Sequence, residues 1–271
     1  MTHSPQDLRA LLDAHGLEPR RALGQNFVVD PNTVRRIVRL AEVGEGDRVV
    51  EIGPGLGSLT LALVELGADV VAVEKDRDVV PVLRTVVEPK GVSVIEADAL
   101  DVDWGEVLAG HAGWTLVANL PYNVATTLVL DLLADVPAIE TMLVMVQREA
   151  GERLAAGAGD AAVGIPSMLV AYHATADVVG KVPATVFHPQ PKVESVLVRI
   201  VRHREPPVDQ PLTAIDPLLR AAYGQRRKML RRSLSGVLDE AAISGAGVDP
   251  TARPETLSLE DWARLARAAA D

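Results

Sequence analysis

The chain of 271 residues is 48% apolar and 24% charged, as in a globular protein, and its lack of cysteine excludes disulfides, thiolate metal sites and cysteine nucleophiles. The six histidines lack the i,i+4 spacing of a helical zinc site, so we expect no metal. The net charge of −10 does not exclude a nucleic-acid partner, because residues 181–232 carry 11 Lys and Arg against four acidic residues.

Short apolar runs alternate with helical stretches between Arg48 and Arg202, which is the pattern of a largely parallel sheet. Asp30 and Pro31 predict the start of a helix that precedes this sheet. The predicted strands span 48–52, 70–74, 92–95, 115–119, 142–147, 169–178 and 193–201. No long helix separates the last two, so we expect them to form an antiparallel pair at the sheet edge.

A proline-rich linker follows at residues 203–211, and helices are predicted over 215–223, 226–237, 239–244 and 258–270. We therefore expect a doubly wound, mostly parallel seven-stranded α/β domain in residues 1–202, which includes an N-terminal helical segment in 1–45, and a small all-helical domain in 212–271. No apolar run reaches the length of a membrane span, and acidic residues interrupt the N-terminal segment, so we expect a cytoplasmic protein without a membrane contact.

A glycine-rich turn follows the first predicted strand. Gly53, Gly55 and Gly57 let the backbone turn tightly and approach a ligand. Glu74 ends the second strand, where a carboxylate can bind both hydroxyls of a ribose, and Asp98 follows the third, where it can accept from an adenine amine. A structural turn and an NAD(P) site share parts of this pattern. The acid after the third strand and the E-x-G-x-G spacing favour S-adenosylmethionine.

The fourth predicted strand ends in Asn119, Leu120, Pro121 and Tyr122, beside the predicted cofactor site. The lone pair of an exocyclic amine on a base is delocalised into the ring. The Asn119 side-chain oxygen and the Leu120 carbonyl can accept its two N–H bonds and favour a nucleophilic nitrogen, while Pro121 stiffens the turn and Tyr122 offers a stacking surface. The alternative is a strand-ending turn with a packing tyrosine.

Motifs along nearly the whole chain make it resemble the rRNA adenine N6,N6-dimethyltransferase family, of the type that acts on small-subunit ribosomal RNA. They are Leu23-Gly-Gln-Asn-Phe27, Glu51-Ile-Gly-Pro-Gly-Leu-Gly57, Val73-Glu74, Asp98, Asn119-Leu-Pro-Tyr122, Val146-Gln-Arg-Glu149, Phe187-His-Pro-Gln-Pro-Lys-Val-Glu-Ser195 and Tyr223-Gly-Gln-Arg-Arg-Lys-Met-Leu230. The resemblance implies a Rossmann-like class I methyltransferase that uses S-adenosylmethionine. Its substrate would be two adjacent adenines in the loop of the hairpin near the 3′ end of 16S rRNA, each receiving two methyl groups.

The resemblance also implies roles for individual residues. The cofactor would be held by Asn26, Val28, Gly53, Gly55, Glu74, Asp98 and Asn119. The target adenine would meet Asn119, Leu120, Pro121, Tyr122 and Phe187, with Tyr122 and Phe187 on its two faces. Phosphates of the RNA would meet Lys192, Arg226, Arg227, Lys228, Arg231 and Arg232. We expect a monomer whose partner is small-subunit rRNA or a precursor of the small ribosomal subunit.

Three other functions stay open on the residues alone. A non-catalytic RNA-binding assembly factor would keep the fold without the chemistry, and an NAD-dependent oxidoreductase would share the glycine turn and Glu74. A large-subunit rRNA adenine methylase of the antibiotic-resistance type shares the catalytic motifs, and the linker and helical domain favour the small-subunit enzyme over it. The chain is more acidic than this family usually is, from which we expect reduced nonspecific binding to RNA.

Overall fold

The computed structural model describes residues 3–20 and 24–270, so Leu23, the first residue of the first motif, lies outside the described residues. Contacts divide the chain into two units. The first, which we call the sheet unit, comprises Met1–Gly151 and Asp177–Val201. The second, the helical unit, comprises Glu152–Ala176 and Arg202–Asp271. The division of 1–202 from 212–271 expected from the sequence does not anticipate the segment 152–176 in the second unit.

Seven strands form one sheet in the order β4-β3-β2-β5-β6-β9-β7, and β1 pairs with β8 in a separate two-stranded ribbon. The strands are β1 (Phe27–Val28), β2 (Arg48–Ile52), β3 (Asp69–Glu74), β4 (Ser93–Glu96), β5 (Trp114–Asn119), β6 (Ile139–Gln147), β7 (Ala174–Val182), β8 (Phe187–His188) and β9 (Ser195–Arg202). Strands β2 to β6 run parallel, and β9 is antiparallel to β6. The predicted fold class, a doubly wound and mostly parallel seven-stranded sheet, is confirmed.

The strand predicted over 169–178 is wrong in its first half. Residues Ile165–His173 form a helix, and β7 begins only at Ala174. A short apolar run does not distinguish a buried strand from a buried helix. Pro166 favours a helix, because backbone N–H groups in the first turn have no intrahelical acceptor and a proline there loses no hydrogen bond. The last two strands are neighbours at the sheet edge, as expected.

Seven helices begin in the described part of the sheet unit: α1 (Pro5–Ala14), α2 (Pro31–Ala41), α3 (Ser58–Glu65), α4 (Val80–Val87), α5 (Trp104–Val107), α6 (Ala125–Asp135) and α7 (Arg148–Leu154). The Asp30 carboxylate accepts the N–H groups of Asn32 and Thr33 at the start of α2, with Pro31 in the first turn, as the sequence predicts. The buried face of α2 packs into the same core as the apolar side chains of α3 and of strands β2 and β3.

The helical unit contains α8 (Ile165–His173), α9 (Leu212–Tyr223), α10 (Leu230–Ser233), α11 (Glu240–Gly245) and α12 (Leu259–Ala268). Its core surrounds the fully buried Trp262, and Val163 and Met168 join it, which explains why 152–176 belongs to this unit. Ser258 and Asp261 form the predicted capping box at the start of α12. No helix among the described residues has the length and apolar character that a membrane span requires.

The helix predicted over 226–237 is also wrong. Residues 224–229 form turns, and only Leu230–Ser233 is helical. The reason lies in the backbone: Leu230 N–H donates to the carbonyl of Ala252 (2.9 Å) and Arg231 N–H to that of Pro250 (3.0 Å) rather than to carbonyls four residues earlier. The basic stretch is therefore a turn-rich segment and not one continuous helix face.

Candidate active site

One cavity of the sheet unit lies at the carboxyl ends of β2, β3, β4 and β5. In a doubly wound sheet, this edge is where ligands bind. The structure brings all seven predicted cofactor residues to the cavity wall: Asn26, Val28, Gly53, Gly55, Glu74, Asp98 and Asn119. Pro121 also lines it. Among the described residues, no group of three or more His, Asp or Glu is arranged to hold a metal ion.

The glycine turn after β2 depends on the absence of side chains. Gly53, Gly55 and Gly57 all have positive φ (69°, 57° and 84°), which residues other than glycine rarely adopt. A Cβ at Gly55 would lie 2.7 Å from the ring of Phe27, so this position admits only glycine. A Cβ at Gly53 would meet nothing nearer than the Asn119 carbonyl oxygen, 3.8 Å away. The backbone at Gly53 is therefore open to a ligand.

Glu74 is buried at the end of β3 with both carboxylate oxygens oriented by the backbone. Its Oε2 accepts the Gly55 N–H (3.0 Å) and its Oε1 accepts the Asp76 N–H (2.9 Å). Burial raises the pKa of Glu74, and these two N–H groups act in the opposite direction. Because an ionised carboxylate offers about four lone-pair sites, each oxygen can still accept a hydroxyl. The arrangement fits the two hydroxyls of a ribose.

Asp98 follows β4 and forms an ion pair with Lys75. No pattern in the sequence predicts a role for Lys75. The other carboxylate oxygen of Asp98 accepts the N–H of Leu100 (3.2 Å). The Lys75 ammonium is the main reason that the pKa of Asp98 is lowered. Asp98 is thus an ionised acceptor at the cavity wall, as binding of an adenine amine requires.

A third acid, Glu51, also lines the cavity from β2. It is 2% exposed, and its Oε2 has no hydrogen-bond partner among the described residues. The pKa of Glu51 is raised to about 8, mainly by burial, with a smaller contribution from the nearby Glu74 and an opposing one from the Thr60 hydroxyl. At neutral pH Glu51 is therefore mostly a neutral carboxylic acid in the cavity wall near Glu74.

The N-terminal helix α1 forms a wall of the same cavity, which sequence reasoning missed. Leu8 lines the cavity and packs in a cluster with Phe27 and Leu56. The His3 ring hydrogen-bonds the Leu56 carbonyl (2.9 Å), and Arg20 pairs with Asp76 (3.2 Å). The amphipathic pattern of α1 predicts that one face of this helix is buried, but it does not show which part of the protein that face packs against.

The Asn119 side chain has a defined orientation at the end of β5. Its Nδ2 donates to the Asn26 carbonyl oxygen (2.9 Å), so the amide nitrogen is engaged and Oδ1 is the free acceptor. Among the described residues, no donor is hydrogen-bonded to Oδ1 or to the Leu120 carbonyl oxygen. Both acceptors are therefore free of a described donor, but only Asn119 lines the cavity, and Leu120, Tyr122 and Phe187 are not among its lining residues.

The two predicted aromatic residues have different surroundings. Tyr122 is half-buried, and its hydroxyl hydrogen-bonds the Ser195 hydroxyl (2.7 Å). Phe187 is only 4% exposed and is part of the core, and its backbone pairs with Val28 in the β1–β8 ribbon. No ring contact joins Tyr122 and Phe187 in the described structure. Phe187 is thus a buried residue beside β1 in the ribbon, and its ring does not face Tyr122 across an open site.

The predicted phosphate-binding residues fall into two groups. In the helical unit, Arg226 donates to the Ala161 carbonyl (3.0 Å) and Arg231 pairs with Glu240 (3.3 Å). The others are exposed and form no ion pair with a described residue: Arg227, Lys228 and Arg232 in the helical unit, and Lys192 in the sheet unit. Of the six predicted residues, these four are the ones without an ion pair in the described part of the chain, and the Lys228 ammonium donates to Gln225 Oε1 (2.7 Å).

Comparison with known proteins identifies the family. The sequence profile of the family described as ribosomal RNA adenine dimethylase matches residues 16–271. A ribosomal RNA small subunit methyltransferase A from Cutibacterium acnes is 47% identical over 98% of this chain and 94% of its own length. The structure of the 23S rRNA methyltransferase ErmE, 26% identical, superposes with a TM-score of 0.72 over 91% of this chain and 100% of its own.

A dimethyladenosine transferase from Plasmodium falciparum, 22% identical, covers 87% of this chain and 94% of its own length with a TM-score of 0.72, and it shows the same fold. The match of the family profile spans both the cavity and the helical unit. This chain belongs to the ribosomal RNA adenine dimethylase family.

Proposed function

We propose that this protein transfers methyl groups from S-adenosylmethionine to N6 of two adjacent adenines in the loop of the 3′-terminal hairpin of 16S rRNA, forming N6,N6-dimethyladenosine during ribosome biogenesis. The family and the 47% identical small-subunit relative support this substrate. The observation that carries the chemistry is the orientation of Asn119, whose Oδ1 is an available acceptor beside the cofactor cavity.

The residues of the cavity fit S-adenosylmethionine. Glu74 presents two oriented oxygens for the ribose hydroxyls, and Asp98 is an ionised acceptor for the adenine amine. The open backbone at Gly53 lets the ligand approach, and Asn26 and Val28 would hold its methionine part. When bound, S-adenosylmethionine supplies a methyl group on a positively charged sulfur, which is the electrophile of the reaction.

The residues after β5 prepare the attacking nitrogen. Asn119 Oδ1 and the Leu120 carbonyl oxygen accept the two N–H bonds of the target amine, which orients its lone pair toward the cofactor. Neither group is a strong base, so the amine proton leaves late, to water. Pro121 restricts the turn that carries the Leu120 carbonyl, and Tyr122 offers its ring to the base.

We assign the second face of the adenine to Phe187. Because its side chain is almost fully buried, the residues that cover it must move when RNA binds. The target base must also leave its stack, which costs less for the unpaired adenines of a hairpin loop than for paired bases. Lys192, Arg227, Lys228 and Arg232 meet phosphates and hold the hairpin without reading its sequence. We infer that the protein acts as a monomer in the cytoplasm, where the small subunit is assembled.

The test is incubation with labelled S-adenosylmethionine and either undermethylated small subunits or large subunits, followed by nucleoside analysis of the RNA. The proposal predicts labelled N6,N6-dimethyladenosine in small-subunit rRNA only. Label in large-subunit rRNA would favour the activity named for ErmE, which the superposition makes the second candidate. Binding to small subunits without any transfer would support a non-catalytic assembly factor.

A thermal-shift measurement separates the cofactor classes. A ligand that binds only the folded protein raises its melting temperature. S-adenosylhomocysteine is expected to do so and NAD is not. The opposite result would support an oxidoreductase.

A further inference from the structure

The hydrogen bond between Tyr122 and Ser195 links the turn after β5 to the first residue of β9. Ser195 is fully buried (0% exposed), whereas Tyr122 is half-buried, and their hydroxyl oxygens are 2.7 Å apart. We propose that Ser195 is a positioning residue for methyl transfer, which fixes the Tyr122 ring against which the target base stacks. This inference rests on the proposed function.

The sheet holds Ser195 more firmly than the turn holds Tyr122. Ser195 pairs with Gln147 in the antiparallel β6–β9 ladder, and the preceding carbonyl of Glu194 accepts the Arg148 N–H (3.0 Å). Tyr122 lies between the end of β5 and the start of α6, in a turn outside both elements. The far end of the Tyr122 side chain is therefore anchored to a rigid element that its own backbone does not belong to.

Ser195 is placed to act on Tyr122 rather than on the cofactor. Ser195 is not among the residues of the cavity wall, and its hydroxyl bonds to Tyr122. Any effect of Ser195 on the reaction passes through Tyr122. Ser195 also ends the segment that begins at Phe187. This segment therefore contains one of the two proposed stacking residues, Phe187, and the residue that orients the other, Tyr122.

The test compares Ser195→Ala, Tyr122→Phe and the double variant in single-turnover methylation of undermethylated small subunits. Each single variant removes the same hydrogen bond from one side, so each is expected to lower the transfer rate by about fivefold to tenfold. The double variant is expected to be no slower than the slower single variant, because residues in direct contact are not additive. The KM for subunits and the affinity for S-adenosylhomocysteine stay unchanged.

The matched control is Ser167→Ala, which removes a buried serine hydroxyl of the helical unit that donates to the Arg153 carbonyl (2.5 Å). This variant is expected to lower the melting temperature without changing the transfer rate. If Ser195→Ala unfolds the protein, Tyr122→Phe still tests the bond, because it adds no volume and leaves the ring in place.

A spectroscopic readout separates positioning from a purely structural role. Burial raises the pKa of Tyr122 and the bond to Ser195 lowers it, so Ser195→Ala is expected to move the tyrosinate titration of Tyr122 to higher pH. Tyr122→Phe identifies that signal among the three tyrosines. An unchanged transfer rate in Ser195→Ala or Tyr122→Phe, or single effects that multiply in the double variant, would overturn the inference. Failure of the wild type to methylate small subunits would instead overturn the proposed function.

Discussion

The side-chain amide of Asn119 is held by the backbone carbonyl of Asn26, 93 residues earlier in the chain, across 2.9 Å. This bond joins the last residue of β5 to the segment that enters β1. It decides which amide atom is available, because a donor facing the target amine would repel its N–H bonds and an acceptor binds them. The residue that we propose orients the target amine is therefore itself oriented by a residue of the cavity wall.

Asn119→Asp is expected to lower the methylation rate of small subunits by about 100-fold or more. An ionised carboxylate at this position has no donor for the Asn26 carbonyl, so the oxygens would repel each other and the side chain would turn away. Asn119→Ala is expected to abolish transfer. Single-turnover assays check the rate, and sedimentation with small subunits checks that binding persists. A methylation rate that stays within threefold of the wild type in Asn119→Ala, roughly 0.7 kcal/mol, would show that Asn119 does not hold the amine.

Glu74→Gln is expected to weaken the binding of S-adenosylhomocysteine by about tenfold or more, measured by calorimetry. The glutamine amide replaces one carboxylate oxygen by a donor, which faces a backbone N–H and cannot accept a ribose hydroxyl. Glu140→Gln, at an exposed position on β6, is the matched control and is expected to leave binding unchanged. Equal affinities of the Glu74→Gln variant and the wild type would show that Glu74 does not bind the ribose.

Glu51→Gln is expected to make the stability of the protein less dependent on pH. The pKa of Glu51 is about 8 in the folded state against 4.5 for the unperturbed group, so between these values the folded state keeps a proton that the unfolded state has lost. The wild type therefore loses stability as pH rises from about 4.5 to about 8, by up to about 1.4 kcal/mol per pH unit. Denaturant unfolding at pH 5, about 6.5 and about 8 checks the difference between the two proteins. Parallel curves would mean that Glu51 is ionised in the folded protein.

Alanine at Arg227, Lys228 or Arg232 is expected to weaken RNA binding and to make it less sensitive to salt. Each phosphate contact that is lost lowers the slope of log affinity against log salt by about 0.7 to 0.9. Arg264→Ala, whose guanidinium pairs with Asp261 in the same unit, is the control and should leave the slope unchanged. A slope that none of the three substitutions changes would show that this segment does not contact phosphates.

The parallel strands could be predicted from the sequence because strands buried on both faces are almost continuously apolar. This reasoning failed at Leu169, where an equally apolar run is helical. The helix predicted from Arg226 failed for another reason, because the backbone N–H groups of Leu230 and Arg231 bond to a loop more than 15 residues away. Local periodicity carries no information on such distant hydrogen bonds. The error after Arg226 thus lies where tertiary contacts decide the local structure, whereas at Leu169 the local signal was Pro166 in the first turn of the helix.

The cavity residues that could be predicted from the sequence are those at the ends of strands. Gly53 and Glu74 follow directly from their positions at the ends of successive strands. Leu8 and Lys75 could not be assigned, because an apolar helix face and a single lysine have no local pattern that names their neighbour. The link between Tyr122 and Ser195 joins residues 73 apart, and only the folded chain shows it.

We propose above that S-adenosylmethionine binds in the cavity of the sheet unit with its sulfur next to Asn119. The most direct measurement is a crystal structure of the protein with S-adenosylhomocysteine. We expect the ribose hydroxyls within hydrogen-bond distance of Glu74, the adenine amine at Asp98, and the sulfur facing Asn119 and Leu120. A ligand bound elsewhere, or a turn at 119–122 that faces away from the sulfur, would contradict it.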